Sequence, residues 1–126
     1  MQRVLLIERH QMMRNAMRDL LAQNGREQVE EAADPIDGVH KIIANTPGII
    51  ILDTTWPEVN GLWLTRLLRE LVPHGKIVLL LDDSRADYLE AARASGADAC
   101  ITKSMLANEL MPILEAWKKT SGGRNV

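Results

Sequence analysis

Ile49-Ile50-Ile51-Leu52-Asp53-Thr54-Thr55-Trp56-Pro57, followed by Asn60-Gly61, is the stretch that decides the fold. An unbroken apolar run, rich in β-branched isoleucine, ends abruptly at a carboxylate. Such a run has no polar side to turn to water. As a strand it must be covered on both faces, the situation of a parallel sheet with helices packed above and below. Asp53 then marks where the strand leaves the core, and Gly61 falls where the chain should reverse.

Working outward, Val4 to Ile7 and Ile77 to Leu81 are runs of the same kind, with weaker strand candidates at Gln28 to Ala32 and Ala99 to Thr102. Between them the apolar period changes to that of helices. Met13, Met17, Leu20 and Leu21 mark one helix, Ile36, Val39, Ile42 and Ile43 a second, and Leu64, Leu67, Leu68 and Leu71 a third. Tyr88, Leu89 and Ala92 mark a fourth, and Leu106, Leu110, Ile113, Leu114 and Trp117 the last. Each stripe is expected to face the core. Asp34-Pro35 reads as an N-cap with proline at the first helical position, and Ser84 with Asp87 resembles a capping box. Pro112, inside the last stripe, lacks the N–H that a helix interior uses, so that helix is expected to bend or to begin near Asn108. Residues 120–126 read as a frayed tail or the start of a linker, leaving residues 1–119 as one domain.

Five strands alternating with five helices imply an α/β, doubly wound parallel sheet, and right-handed crossovers favour the flavodoxin-like order 2-1-3-4-5. Chemistry in such sheets gathers beyond the carboxyl ends of the strands, near the switch between strands one and three. That rule points to Glu8, Arg9, Asp53, Thr54, Leu81, Asp82 and Lys103.

The 126-residue length suits one domain, and 46% hydrophobic with 25% charged residues is ordinary for a globular protein. A formal net charge of −2 gives no electrostatic reason to bind nucleic acid or an anionic membrane. The one cysteine, Cys100, excludes an internal disulfide and a cysteine metal cluster. No apolar run is long enough to span a bilayer and no targeting pattern opens the chain, so a cytoplasmic location is expected.

Val4 to His10, Ile51 to Pro57 with Asn60-Gly61, and Gly96 to Lys103 resemble, in order and spacing, the receiver domain of two-component response regulators. The strongest piece is the aspartate that closes an apolar strand, with proline four residues on and glycine eight on. The likeness covers residues 1 to about 119, and His10, Arg14 and Lys103-Ser104 lean towards receivers of LuxR-type helix-turn-helix regulators. The resemblance implies that Asp53 is the phospho-acceptor, a carboxylate nucleophile that holds an acyl phosphate. It implies that Lys103 pairs with the phosphoryl oxygens, and that Glu8 and Asp53 are metal ligands for Mg²⁺.

Three of the family's usual parts are replaced. Arg9 stands for the second acidic ligand, Leu81 for the hydroxyl that donates to the phosphoryl group, and Cys100 for the aromatic switch residue. Asp82 takes the place of a small residue. Glu8, Asp53 and Asp82 against Arg9 and Lys103 leave the site one unit negative before any metal. Two placements of Arg9 are open: a guanidinium beside Asp53 or Asp82, acting as an internal counter-ion, or a solvated side chain turned away. Mg²⁺ binding is expected to be weak and phosphotransfer slow or absent, the more so because Leu81 leaves one phosphoryl oxygen without its donor.

The functional expectation is therefore a receiver with a degenerate phosphorylation site, not an enzyme, acting through protein–protein interaction. Partners implied are a sensor histidine kinase or another signalling protein, and a homodimer. The chain carries no output domain of its own, so a stand-alone protein and a piece of a longer regulator both fit. The alternatives are a structural dimerisation module that has lost its switch, and an Asp-nucleophile phosphatase; the latter would want an aspartate where Thr55 stands. Trp56 and Trp117 are candidate partner-facing residues, though Trp117 also fits the core spacing of the last helix. His10 is expected at the surface, following the first strand, and neither His40 nor His74 has a metal or triad partner nearby in sequence.

Overall fold

Five strands, β1 (Val4–Ile7), β2 (Val29–Ala32), β3 (Ile49–Asp53), β4 (Lys76–Leu81) and β5 (Ala99–Thr102), alternate with five helices. These are α1 (Gln11–Gln23), α2 (Pro35–Ala44), α3 (Gly61–Leu71), α4 (Ala86–Ala94) and α5 (Leu106–Gly123). The computed structural model describes residues 3–26, 28–82 and 85–123, with side chains described as far as Lys118. The strand order is 2-1-3-4-5 with every neighbouring pair parallel, the expected flavodoxin-like arrangement.

Because successive side chains on a strand point to opposite faces, each apolar run feeds two layers. Leu5, Ile7, Ile50, Leu52, Ile77, Leu79 and Leu81 face α2, α3 and α4, where they meet Ile42, Leu64, Leu68 and Ala92. Val4, Leu6, Ile49, Ile51, Val78, Leu80 and Ile101 face α1 and α5, where they meet Met17, Leu21, Leu110 and Leu114. Each such Leu or Ile contributes roughly 1.5–3 kcal/mol relative to exposure. The edge strand β2 is only half-buried, and there Glu31 pairs with Arg14 and Arg18.

Asp34 caps α2 by accepting the Asp37 N–H at 2.8 Å, with Pro35 at the first turn. Asn60 caps α3 by accepting from the N–H groups of Leu62 and Trp63, both at 2.9 Å. Ser84 lies outside the described residues; the N-cap of α4 is Arg85, with no side-chain cap. Residues 120–123, expected as tail, continue α5.

One helix expectation is corrected, and one of the two alternatives for another is ruled out. On α2, Ile36 (71% exposed) and Ile43 (69%) face outward. The buried line runs through Pro35, Gly38 and Ile42 instead, because Gly38 lets the helix sit directly on β1: a Cβ there would meet Ile7 Cδ1 at 2.7 Å. Ile36, Val39, Trp63 and Leu67 line a cavity of about 610 Å³ between α2 and α3. On α5, Pro112 neither ends the helix nor moves its start to Asn108; the helix begins at Leu106, led in by a 3₁₀ turn at Lys103–Met105, and carries Pro112 on its exposed side. Among the described residues no helix is long and apolar enough to cross a membrane.

Candidate functional site

The carboxyl ends of β1, β3, β4 and β5 converge on one cleft, lined by Glu8 after β1, Asp53 at the end of β3, Asp82 after β4 and Lys103 after β5. Glu8 continues the β1 ladder by one bond, its N–H reaching Ala32 O at 3.0 Å, and its side chain is fully buried. The turn after it is pinned by Arg14, whose guanidinium donates to the carbonyls of Glu8 (2.7 Å) and Arg9 (3.0 Å) while pairing with Glu31. His10 closes the turn: its N–H and its Nδ1 both meet Glu8 Oε2, at 2.9 and 3.1 Å.

Asp53, 1% exposed, has two unlike oxygens. Oδ1 accepts from Thr55 N–H (3.0 Å) and the Thr55 hydroxyl (2.8 Å), and lies 3.0 Å from Lys103 Nζ. Oδ2 is buried without a hydrogen-bond partner, and so is Glu8 Oε1. Lys103, in the 3₁₀ turn after β5, also reaches Thr55 Oγ1 at 3.1 Å and Asp82 Oδ1 at 3.1 Å. Burial pushes the Asp53 carboxyl up, but the Thr55 N–H, the Thr55 hydroxyl and Lys103 outweigh it and hold the group below its ordinary value. Burial likewise works against the Lys103 charge, and Asp53 and Asp82 overcome it, raising that ammonium above its usual value. Asp53 is held as a carboxylate beside an ammonium.

Glu8, Asp53, Asp82 and Lys103 thus come together. Arg9 does not join them. Its side chain is exposed, and no ion pair with Asp53 or Asp82 is formed; the cation that both carboxylates share is Lys103. The reason is strand geometry: Glu8 keeps the β1 register and turns inward, so the next residue turns out. Leu81 is fully buried in the core and offers no donor. Cys100 is half-buried against the same core layer, its thiol pushed up by burial, against an opposing effect of Arg93. Trp56, expected to face a partner, is 7% exposed and donates its Nε1–H to Asp53 O at 2.6 Å; it braces the acceptor loop instead. Trp117 packs against the α1–α5 layer with Lys76 Nζ 5.5 Å over its ring.

Two site residues escaped the sequence reading. In the sequence, Thr55 counts only as the residue standing where a second acid would be, although an aspartate whose carboxylate takes the N–H two residues on is the ordinary Asx-turn. His10 is exposed, as expected of a residue following the first strand, but its bond to Glu8 depends on the turn that Arg14 holds. The donor set suits a divalent cation: Glu8, His10 and Asp53 each present a ligand atom within 4.8 Å of one another. The two unpartnered carboxylate oxygens are the ligands a hard cation prefers.

The family model described as the response regulator receiver domain matches residues 4–115. The chain is 27% identical over 118 residues to the chemotaxis protein CheY of Bacillus subtilis, covering 94% of this chain and 96% of that one. It is 30% identical over 115 residues to the transcriptional regulatory protein PdtaR of Mycobacterium tuberculosis, covering 90% of this chain but 55% of that protein. Among solved structures, a two-component response regulator of the LuxR family from Aurantimonas sp. SI85-9A1 superposes with a TM-score of 0.79 at 27% identity, covering 91% of this chain and 83% of that one. The chain belongs to the response regulator receiver family.

Proposed function

We propose that this receiver keeps a working phospho-acceptor and has lost the usual readout, so that its output is set by what it binds. The observation that carries the reading is the asymmetry of Asp53. Oδ1 is held by Thr55 and Lys103, while Oδ2 is buried, ionised and unpartnered beside Glu8 Oε1. An anchored carboxylate with one free oxygen is oriented for nucleophilic attack.

In the reaction Asp53 Oδ2 forms the bond to phosphorus as the donor's bond to phosphorus breaks, and the leaving imidazole or acetate takes away that electron pair. Lys103 pairs with a phosphoryl oxygen. A Mg²⁺ held by Glu8 and Asp53 would supply positive charge to the phosphoryl oxygens. The weak Mg²⁺ binding expected from an Arg9 counter-ion loses its support, since Arg9 points away. Leu81 gives the phosphoryl group no hydrogen bond and Cys100 supplies no ring to follow it, so retention and switching are the degenerate parts. The partners are then a sensor histidine kinase or another phosphodonor, together with proteins that recognise the receiver surface. A phosphatase reading is disfavoured: Thr55 stands where a second acid would serve, and its hydroxyl is spent on Asp53.

The test is acetyl phosphate with Mg²⁺, followed by intact-mass measurement, with Trp56 fluorescence reporting beryllofluoride binding. One added phosphoryl group in the unmodified protein and none in Asp53→Asn is expected. No labelling at saturating donor would overturn the proposal in favour of a structural association module.

A further inference from the structure

We propose that His10 is a third protein ligand at the Glu8–Asp53 cation site, tuning it towards first-row transition-metal cations such as Co²⁺ and Mn²⁺ over Mg²⁺. The proposal rests on the reading above that Glu8 and Asp53 hold a divalent cation. Mg²⁺ is bound through oxygen, whereas an imidazole nitrogen suits transition metals. Here the position at which the family carries a second acid is Arg9, exposed and turned away; the next residue, His10, supplies nitrogen instead. Its Nδ1 lies 3.1 Å from Glu8 Oε2, and a nitrogen–oxygen pair that shares a proton can share a cation in its place. The backbone N–H of His10 holds the same oxygen at 2.9 Å, which keeps Glu8 Oε2 beside the ring.

Three further observations converge. Glu8 Oε1 and Asp53 Oδ2 are buried carboxylate oxygens with no partner. The ring of His10 makes no capping bond to α1 although His10 is its N-cap residue, so the cap does not compete for Nδ1. A cavity of about 550 Å³, lined by Glu8, His10, Gln11, Met12, Met13 and Lys103 among others, opens onto the site and supplies an entry path.

The experiment is titration of Mn²⁺, Co²⁺ and Mg²⁺ into the full chain and its His10→Ala and Glu8→Gln variants, by calorimetry, with pulsed EPR of the bound Mn²⁺. Mn²⁺ tends to bind more tightly than Mg²⁺ at many sites, so the variant decides. His10→Ala should weaken Mn²⁺ and Co²⁺ by roughly tenfold or more, the scale on which loss of a metal's protein partners is felt, while Mg²⁺ changes little. The ¹⁴N coupling of bound Mn²⁺ should be present in the unmodified protein and absent in His10→Ala. Unchanged Mn²⁺ affinity or a persisting ¹⁴N coupling in that variant, with Glu8→Gln still abolishing binding, overturns the role of His10 alone. Unchanged binding in Glu8→Gln overturns the cation site itself, and the proposal with it.

Discussion

Lys103 Nζ lies 3.0 Å from Asp53 Oδ1 although β4 separates β3, which carries Asp53, from β5, which Lys103 follows. The lysine spans the end of β4, touching Asp82 on the way, and Thr55 completes the clamp from below the acceptor. One cation is therefore shared by two carboxylates at the ends of different strands.

Lys103→Met is expected to lower stability by about 1–3 kcal/mol, because Asp53 is buried and would lose its charged partner. Urea denaturation at neutral pH measures it. In the same variant Asp82, which is largely exposed, should tolerate the loss.

The pH dependence follows from the direction of each shift. Asp53 and Glu31 are held below their ordinary carboxylate values despite burial, by Thr55 and Lys103 and by Arg18 and Arg14 respectively. Their stabilisation is present above the unfolded values, 3.8 and 4.5, and is lost as pH falls through the folded ones. Lys103 is held above 10.5, so its share is present below that value and is lost as pH rises through the folded one. Denaturation midpoints should be nearly flat from about pH 5 to 8 and should fall on acidification. Asp53→Asn should make the acid limb shallower; an unchanged limb would count against the assignment.

Gly61→Ala tests why glycine stands eight residues after the acceptor. Helix propensity alone would favour alanine by about 1 kcal/mol. A Cβ at Gly61 would lie 2.3 Å from Thr54 O and 2.8 Å from Thr54 Cα, both backbone atoms that cannot easily yield. The clash should win, destabilising the protein by about 3 kcal/mol and disturbing labelling of Asp53.

Arg9→Ala should do almost nothing. An exposed side chain without an ion pair to the site contributes within about 0.5 kcal/mol, and Mg²⁺ affinity should be unchanged. A clear gain in Mg²⁺ affinity would restore the counter-ion reading that the geometry opposes.

Leu81→Thr separates readout from stability. It removes apolar packing and buries a hydroxyl, costing about 2–4 kcal/mol. It also places a donor where the family has one, so the acyl phosphate on Asp53 should survive longer in a decay assay than in the unmodified protein.

What the sequence by itself determined was whatever depends on local pattern. The apolar runs at Val4, Ile49 and Ile77, the helical stripes between them and the Asp34-Pro35 cap specified a five-stranded parallel sheet and placed Asp53 at its carboxyl edge. Only the tertiary structure decided which side chains after the strands enter the cleft. Glu8 turns in and Arg9 out because the β1 ladder runs one bond past Ile7, and nothing local to Glu8-Arg9 says where it stops. The same holds for Ile36 and Ile43, left outside because Gly38 lets another line of α2 approach β1. His10 and Thr55 became site residues through turns whose shape Arg14 and Asp53 hold. A charge or a hydrogen bond acts over a few ångströms, and which groups come within that reach is settled by how the strand ends are brought together.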